Sequence, residues 1–173
     1  GEQAVALNYG NTASGMSSFV IGEFGSSFGV TNRFVLSGRS NILGSSQSSK
    51  LQLGRRTTDA TLSTLVAQYP YGTTPSATNQ LVLQDNNAFR VRGSIIGKKS
   101  GSTDVGVWDI DFVMVRGVGA ATTALVGVAN VNLVTNLALW GTPTVTADTT
   151  IGCPSIKVTG ILATNIQWTC TIE

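Results

Sequence analysis

The sequence predicts an all-β protein, and three observations lead to this class. Hydrophobic residues make up 42% of the 173 residues and charged residues only 12%, which favours a buried core over disorder. No stretch longer than about two turns has convincing helical periodicity. In residues 17–54 the apolar runs are short and each reaches a glycine within a residue or two. We therefore expect a short N-terminal β-roll-like repeat segment followed by a jelly-roll-like β-sandwich.

Residues 1–54 contain a short, regular repeat. Leucine or isoleucine recurs at nearly constant intervals, and a second series is offset by half a period. The positions are Leu7, Ile21, Leu36 and Leu51 in the first series and Ser14, Phe28 and Leu43 in the second. Each unit would hold two short strands, and so small a unit buries an apolar face only by stacking on its neighbours. The segment is predicted to be a β-roll or an intertwined shaft; a Gly/Ser linker is the alternative.

Residues 55–173 carry longer apolar stretches separated by turn-forming residues, and we expect a C-terminal β-sandwich tip domain there. The predicted strands are 80–84, 89–98, 105–116, 122–128, 130–139, 144–147, 155–159 and 165–172.

One hairpin of this domain can be placed in register. Apolar and charged residues alternate on both sides of the 100–103 turn, so one face of each strand points to the core. Folding about the turn sets Ile95 opposite Trp108 and Arg92 opposite Asp111. The predicted core residues of the hairpin are Val91, Ile95, Trp108, Ile110 and Phe112.

A second hairpin is predicted between strands 155–159 and 165–172, with Val158 opposite Ile166. This register brings Cys153 close to Cys170. Two buried free thiols and a disulfide both remain open, and a bond, if formed, is expected to be dispensable.

Composition excludes several classes of function. Histidine is absent, so the most common general base and metal ligand are missing, and we expect no cofactor or metal site. The net charge is +2 without a block of like charges, which argues against nucleic-acid binding. No apolar run approaches the roughly 18 residues of a membrane helix, so we expect no membrane insertion. The chain starts at Gly1 without a signal peptide and is expected to be part of a longer protein.

Several segments resemble the C-terminal region of bacteriophage tail fibres and tailspike-associated proteins. They are "SKLQLGRRTTDAT", "NNAFRVRGSIIGKKSG", "ATTALVG", "VTADTT" and "IKVTGILATNIQWTCTIE". The family elements correspond to residues 86–93, 120–127, 146–150 and 156–168, and the resemblance covers roughly residues 30 to 173. Cys153 and Cys170 stand where the family has small residues, and residues 67–79 follow no family pattern.

This resemblance implies a homotrimer at the distal end of a virion tail fibre. Its partners would be a host cell-surface glycan or outer-membrane component and upstream fibre or baseplate proteins, and its activity adhesion without chemistry. A non-catalytic C-terminal module of a polysaccharide-degrading tailspike and the head of a bacterial trimeric adhesin are the alternatives.

Loop aromatics are the candidate receptor-binding residues, because aromatic rings combine a flat apolar face with a polar edge. Tyr69, Tyr71 and Trp140 lie in turn-rich segments; packing within the loops or a trimer interface is the competing interpretation. The enzymatic alternative rests on Asp109 and Asp111, which share a strand face, although Arg92 is the expected partner of one of them. We predict that the chain is not an enzyme and has no catalytic residues.

Overall fold

The computed structural model describes residues 1–38, 43–44, 46–67, 73–136 and 140–173, and of Asn136 the backbone alone. This part of the chain is all-β, as predicted, with one 3-10 turn at Ala120–Thr122. It contains no helix that is long and apolar enough to cross a membrane. The strands are β1 (Val5–Leu7), β2 (Phe19–Gly22), β3 (Phe34–Ser37), β4 (Gln47–Thr57), β5 (Leu62–Thr64), β6 (Asn87–Lys99), β7 (Val105–Arg116), β8 (Ala124–Leu125), β9 (Asn130–Asn136), β10 (Thr144–Asp148), β11 (Cys153–Thr159) and β12 (Ile166–Ile172).

The N-terminal repeat forms a ladder of three parallel strands, β1, β2 and β3. Leu7 pairs with Ile21, and Ile21 pairs with Leu36, so the sequence period is the register of the ladder. Neighbouring coils approach closely, because a Cβ on Gly15 would collide with the backbone of Val30, which lies one period later in the chain. Each coil therefore packs on the backbone of the next.

A backbone period accompanies the side-chain period. Gln3, Ser17 and Asn32 each precede a ladder strand by two residues and adopt left-handed φ values of 53°, 52° and 56°. Such values are uncommon for residues other than glycine. The same turn is thus repeated in every coil although a different residue occupies it each time.

The ladder ends at β4, which runs antiparallel to β3. Leu36 pairs with Ser48, so Leu51 is not a fourth ladder position and is instead buried in the core. The half-period series forms no second ladder in the described residues; its trace is an isolated parallel bridge between Thr12 and Ser26. Leu51 continues the apolar spacing of the sequence, but it does so as a core residue of β4 and not as a member of the parallel ladder.

Strand β4 joins the repeat to the rest of the molecule. Its residues 47–50 pair with β3 and its residues 51–57 pair with β12. The boundary predicted at residue 54 therefore falls inside one continuous strand, and the change of pairing partner comes between residues 50 and 51.

Two sheets enclose the core. The larger sheet has the order β1-β2-β3-β4-β12-β6-β7-β8, with β9 also paired to β7, and the smaller has the order β10-β11-β5. One cluster of buried apolar side chains takes members from both sheets, such as Ile95 and Trp168 from the larger and Ile156 and Val158 from the smaller.

The hairpin β6–β7 has the predicted register. Ile95 pairs with Trp108 and Arg92 pairs with Asp111. The predicted core residues are all buried, with exposures of 0 to 3%: Val91, Ile95, Trp108, Ile110 and Phe112. Alternation within two long strands was sufficient to define this unit.

The predicted β11–β12 hairpin is wrong. β11 pairs with β10 and β5 in the smaller sheet, whereas β12 lies between β4 and β6 in the larger. After β11 the chain crosses to the other sheet through a turn with a bridge between Ile161 and Thr164. The pairing of Val158 with Ile166 does not form, and both cysteines are free and buried.

Two further predicted strands differ from the structure. Residues 80–84 form no strand, although Leu81 and Leu83 are buried as an alternating pattern requires. Their polar groups bond to scattered partners: Gln80 donates its side-chain amide to the Leu65 carbonyl, and the Leu83 amide donates to Gly152. Of the predicted strand 122–128, residues 124 and 125 form β8. Residue 122 belongs to the 3-10 turn that precedes this strand. The predicted strand 130–139 is present as β9, and residues 137–139 lie outside the described part.

Candidate functional site

The structure describes one of the three aromatic residues predicted to bind a receptor, Trp140. Trp140 is 5% exposed and packs edge-on against Trp168, with ring centroids 5.4 Å apart. Its ring is part of the core and presents little surface to a ligand, so it is not the exposed loop aromatic that the sequence predicted. The competing interpretation, in which the ring packs against other residues of the protein, therefore fits Trp140. Tyr69 and Tyr71 lie outside the described residues.

Asp109 and Asp111, the two carboxylates on which the enzymatic alternative rests, have different neighbours. Arg90 donates two hydrogen bonds to Asp111, at 3.0 and 2.6 Å, and Arg92 stands 3.6 Å from the same carboxylate. The hydrogen bonds from Arg90 lower the pKa of Asp111 and raise that of Arg90. Asp109 is exposed and pairs across the strands with Ser94 and Asn132. A general acid needs a raised pKa, and Asp111 has the opposite.

An exposed apolar surface lies on the outer face of the parallel ladder. Two rows of side chains form this surface, and each row consists of residues that pair with one another across the three strands. We call this surface the ladder face. Its residues are Val5, Phe19 and Phe34 in one row and Leu7, Ile21 and Leu36 in the other. The Phe19 and Phe34 rings stack with centroids 5.2 Å apart. Phe34 is 38% exposed and Leu36 50%.

The opposite face of the ladder is apolar as well. Val20 and Val35 alternate with the ladder-face residues and are fully buried inside the coils. A strand that is apolar on both faces is typical of a sheet that is covered on both sides. In this chain one side is covered by its own coils and the other is open, and open apolar patches of this kind mark interaction sites.

A cluster of cations borders the ladder face. Lys50, Arg90 and Arg92 project from the same side of the larger sheet and line a cleft of about 330 Å³ together with Phe34 and Leu36. Lys50 lies 3.5 Å from the Glu173 carboxylate. The carboxylates of Asp111 and Glu173 lie among the three cations, so this border carries charges of both signs. The combined surface suits a partner that offers both apolar and polar groups.

No protein-family model, no curated protein and no solved structure matches this chain. Function is therefore inferred from the ladder face and the neighbouring cations.

In the described residues the potential metal ligands are dispersed, and both thiols are buried. Three or more His, Cys, Asp or Glu side chains nowhere come together in this part of the chain as a metal ion would require. Burial raises the pKa of Cys170 to about 12, and burial together with the charge of Asp148 raises that of Cys153 to about 12. Thiols with such a pKa remain protonated and unreactive at neutral pH.

Sequence reasoning missed the ladder face, although a signal for it was present. The runs Phe19-Val20-Ile21 and Phe34-Val35-Leu36 are apolar at every position instead of every second one. Continuous apolar runs are typical of strands that are covered on both faces. The cation cluster had no comparable signal, because Lys50 and Arg90 are 40 positions apart and come together through β12.

Proposed function

We propose that this chain is the distal part of a bacteriophage tail fibre, a homotrimer that recognises the host surface by adhesion without chemistry. The N-terminal repeat is a β-roll-like segment in which the three copies associate, and the rest is a jelly-roll-like β-sandwich at the tip. Its partners are a host cell-surface glycan or outer-membrane component and the upstream fibre or baseplate proteins. In this proposal its location is the distal end of the virion tail fibre.

The ladder face is the observation that carries this proposal. Six apolar side chains on adjacent strands would be costly to expose to water on a free monomer, at roughly 25 cal/mol for each Å² of apolar area. Parallel stacking gives the face a linear shape, so that it extends along the axis of the repeat. Three copies packed about a common axis would cover one another's faces in a closed arrangement.

Trimerisation also supports adhesion. Repetitive glycans and outer-membrane proteins offer many copies of a weak site, and three linked binding sites convert weak affinities into a tight attachment. The ion pairs around Asp111 are exposed and available for polar contacts at the surface. The lowered pKa of Asp111 favours an electrostatic or hydrogen-bonding role for this group over acid catalysis.

Multi-angle light scattering on the purified chain tests the oligomer. We expect a stable trimer at micromolar concentration, and Leu7→Asp should dissociate it because the carboxylate would be buried in the interface two strands away from the cations beside Leu36. Leu133→Asp is the matched control: Leu133 is also exposed, at 60%, but lies on β9 at the other end of the sheet. A folded wild-type monomer at this concentration would refute the trimer.

A glycan array tests adhesion separately from assembly. The wild-type trimer should bind a restricted set of surface polysaccharides, and Leu7→Asp should lose apparent affinity through lost multivalency. Binding of the trimer to no bacterial glycan and to no outer-membrane preparation would contradict the adhesive function while leaving the oligomer intact.

A further inference from the structure

A row of polar side chains crosses the outer face of the larger sheet where β12 begins. Gln167 pairs with Arg56 of β4 on one side and with Lys98 of β6 on the other. It alternates with the buried residues Ile166 and Trp168, so the row points away from the core. Because neighbouring strands are about 4.8 Å apart, the Cα atoms of Arg56 and Lys98 are about 9.6 Å apart, with Gln167 between them.

A cleft of about 250 Å³ opens beside this row, and we call it the basic cleft. It is lined by Arg56, Ser100, Asn165, Ile166 and Gln167. The Ser100 amide donates a hydrogen bond of 2.9 Å to the Asn165 carbonyl, which holds the turn after β6 against the start of β12. The walls of the cleft are therefore fixed by the pairing of three strands, and all of them are internal segments of the chain.

The two cations of the row have no carboxylate partner within the described part of the chain. The side chain of Arg56 makes neither an ion pair nor a hydrogen bond there, and Lys98 donates to two backbone carbonyls of its own turn. The carboxylates nearest to them in the chain are engaged elsewhere: Asp104 lies 3.3 Å from Lys99, and Asp59 accepts a backbone amide of its own turn. Both positive charges thus remain available to an anion.

The uncharged side chains of the basic cleft also have free hydrogen-bonding capacity. Gln167 donates one hydrogen bond, of 3.4 Å, to the carbonyl of the next residue, and its side-chain oxygen accepts none from the described residues. The Ser100 hydroxyl and the Asn165 amide likewise bond to no other described side chain. Amides and hydroxyls both donate and accept, which is what the hydroxyl groups of a sugar require.

An exposed apolar residue lies next to the row on the same face. Ile96 precedes Lys98 by two residues on β6, pairs with Thr169 and Val107, and is 43% exposed. Alternate residues of a strand are about 6.8 Å apart, so a ring bound beside Gln167 would have this side chain within reach. The surroundings of the cleft thus combine positive charge, neutral polar groups and one apolar contact.

We propose that the basic cleft binds a hexuronic acid unit of a host-surface polysaccharide. The site belongs to the proposed adhesive function, on which this inference rests, and it specifies an acidic glycan. The forked N–H donors of Arg56 match the two oxygens of a carboxylate. The two amides and the Ser100 hydroxyl bond to the ring hydroxyls, and Ile96 contacts the apolar face of the ring. The cleft is smaller than the roughly 300–1,000 Å³ of sites for drug-sized ligands, so it accommodates one sugar unit.

Titration of the ¹⁵N-labelled wild-type chain with methyl glucuronide and with methyl galacturonide tests the site by NMR. At least one of the two should shift the Gln167 side-chain amide signals in a saturable manner at millimolar concentration. Methyl glucoside and methyl galactoside, which carry CH₂OH in place of the carboxylate, should bind about tenfold or more weakly. Absence of a saturable shift with both uronides, or equal binding of the neutral sugars, would overturn the proposal.

Sodium acetate separates a sugar site from a general anion site. Acetate supplies the carboxylate without the ring and should also bind about tenfold or more weakly than the uronide, because it makes no contact with the two amides, the hydroxyl or Ile96. Acetate that binds as tightly as the uronide would mean that the cleft attracts any carboxylate, and the hexuronic acid would be refuted.

Arg56→Gln tests the role of the guanidinium and should weaken uronide binding about tenfold or more, since the hydrogen bonds to the carboxylate are lost. Lys50→Gln is the matched control, because Lys50 is exposed on the same face of the same strand, six residues away, and the change removes the same charge. This variant should bind the uronide as the wild type does. An equal loss in both variants would reduce the effect to the net charge of the protein and overturn the site.

Failure of the acidic sugar and failure of adhesion give different results. A trimer that binds neutral polysaccharides on the glycan array, but neither uronide in solution, would overturn the hexuronic acid and leave adhesion intact. Uronide binding by a chain that attaches to no intact polysaccharide would support the basic cleft and contradict adhesion. The NMR titration needs no avidity, so its result does not depend on the oligomeric state.

Discussion

Gly97 and Gly106 are direct partners across the β6–β7 hairpin, and tryptophan rings occupy the space that their missing side chains leave. A Cβ on Gly97 would lie 2.6 Å from the ring of Trp168 and 2.7 Å from that of Trp140. A Cβ on Gly106 would collide with the ring of Trp108. The glycine pair thus allows three indoles to meet in the core, where the Trp108 and Trp168 centroids are 6.0 Å apart.

Gly97→Ala and Gly106→Ala should each destabilise the protein by about 1–3 kcal/mol, because the added methyl groups overpack rigid rings. Urea denaturation measures the change as a shift of the midpoint. Gly141→Ala is the control, since a Cβ at that position meets no atom within 4 Å, and it should stay within about 0.5 kcal/mol of the wild type. Equal effects of all three substitutions would refute the packing role of the pair.

Trp108→Ala should cost about 3–5 kcal/mol, the usual range for truncation of a buried large aromatic residue. Trp108 is 1% exposed and stands opposite Ile95 in the register of the hairpin. Val128→Ala serves as the control because Val128 is 86% exposed. A loss under about 1 kcal/mol for Trp108→Ala, measured by the same denaturation, would contradict its burial.

Asp111 should contribute to the pH dependence of stability. Its pKa in the folded protein is lowered, chiefly by the hydrogen bonds from Arg90, so its contribution is present above the unfolded pKa and is lost as the pH falls through the folded pKa. Asp111→Asn should therefore reduce stability at neutral pH and leave it nearly unchanged in strong acid. Thermal melts between about pH 2 and 7 measure this effect.

The expected effect is small, because the ion pairs are exposed and screened by solvent. Asp109→Asn is the matched control on the same strand face, two residues away, with no arginine contact among its described interactions. A parallel loss of stability at pH 2 and pH 7 for Asp111→Asn would show that the residue acts through packing and not through its charge.

Both cysteines should resist thiol reagents in the folded protein. Burial raises the pKa of each thiol to about 12, so neither the reactive thiolate nor access for a reagent is present near pH 8. We expect no labelling of the native chain over hours and two labels for each chain in denaturant. Thr103→Cys, at an exposed position, is the control and should react at once. Rapid native labelling of Cys170 would contradict the core position of that residue.

Reducing agent should change neither the oligomeric state nor the stability, since both thiols are free. Dissociation or destabilisation by reductant would mean that a bond between cysteines forms in solution.

The candidate site could be predicted from the sequence in part. The continuous apolar runs of β2 and β3 contain the information for the ladder face, because nothing but residue type is needed to see that both faces of a strand are apolar. The cation cluster could not be predicted in this way. It exists because β12 lies between β4 and β6, and these three strands are neighbours through pairs of residues that are 67 to 121 positions apart.

The sequence by itself determined the units whose partners are near in the chain. The β6–β7 hairpin is an example: a turn of a few residues fixes the pairing, and alternation decides which face is buried, so Ile95 had to meet Trp108. The ladder is another, because a short and nearly constant period brings Leu7, Ile21 and Leu36 into line.

The tertiary structure decided which units share a sheet and which polar groups are buried. The short connection between β11 and β12 favoured a hairpin, but β11 pairs with the preceding strand β10 and with β5, whereas β12 forms ladders of seven pairs each with β4 and β6 in the other sheet. Arg33 is 2% exposed, with its guanidinium bonded to the Ser27 carbonyl and the Ser49 hydroxyl, although its residue type predicts exposure. Local sequence encodes periodicity and turns, whereas the choice among distant partners depends on the total burial and hydrogen bonding of the completed fold.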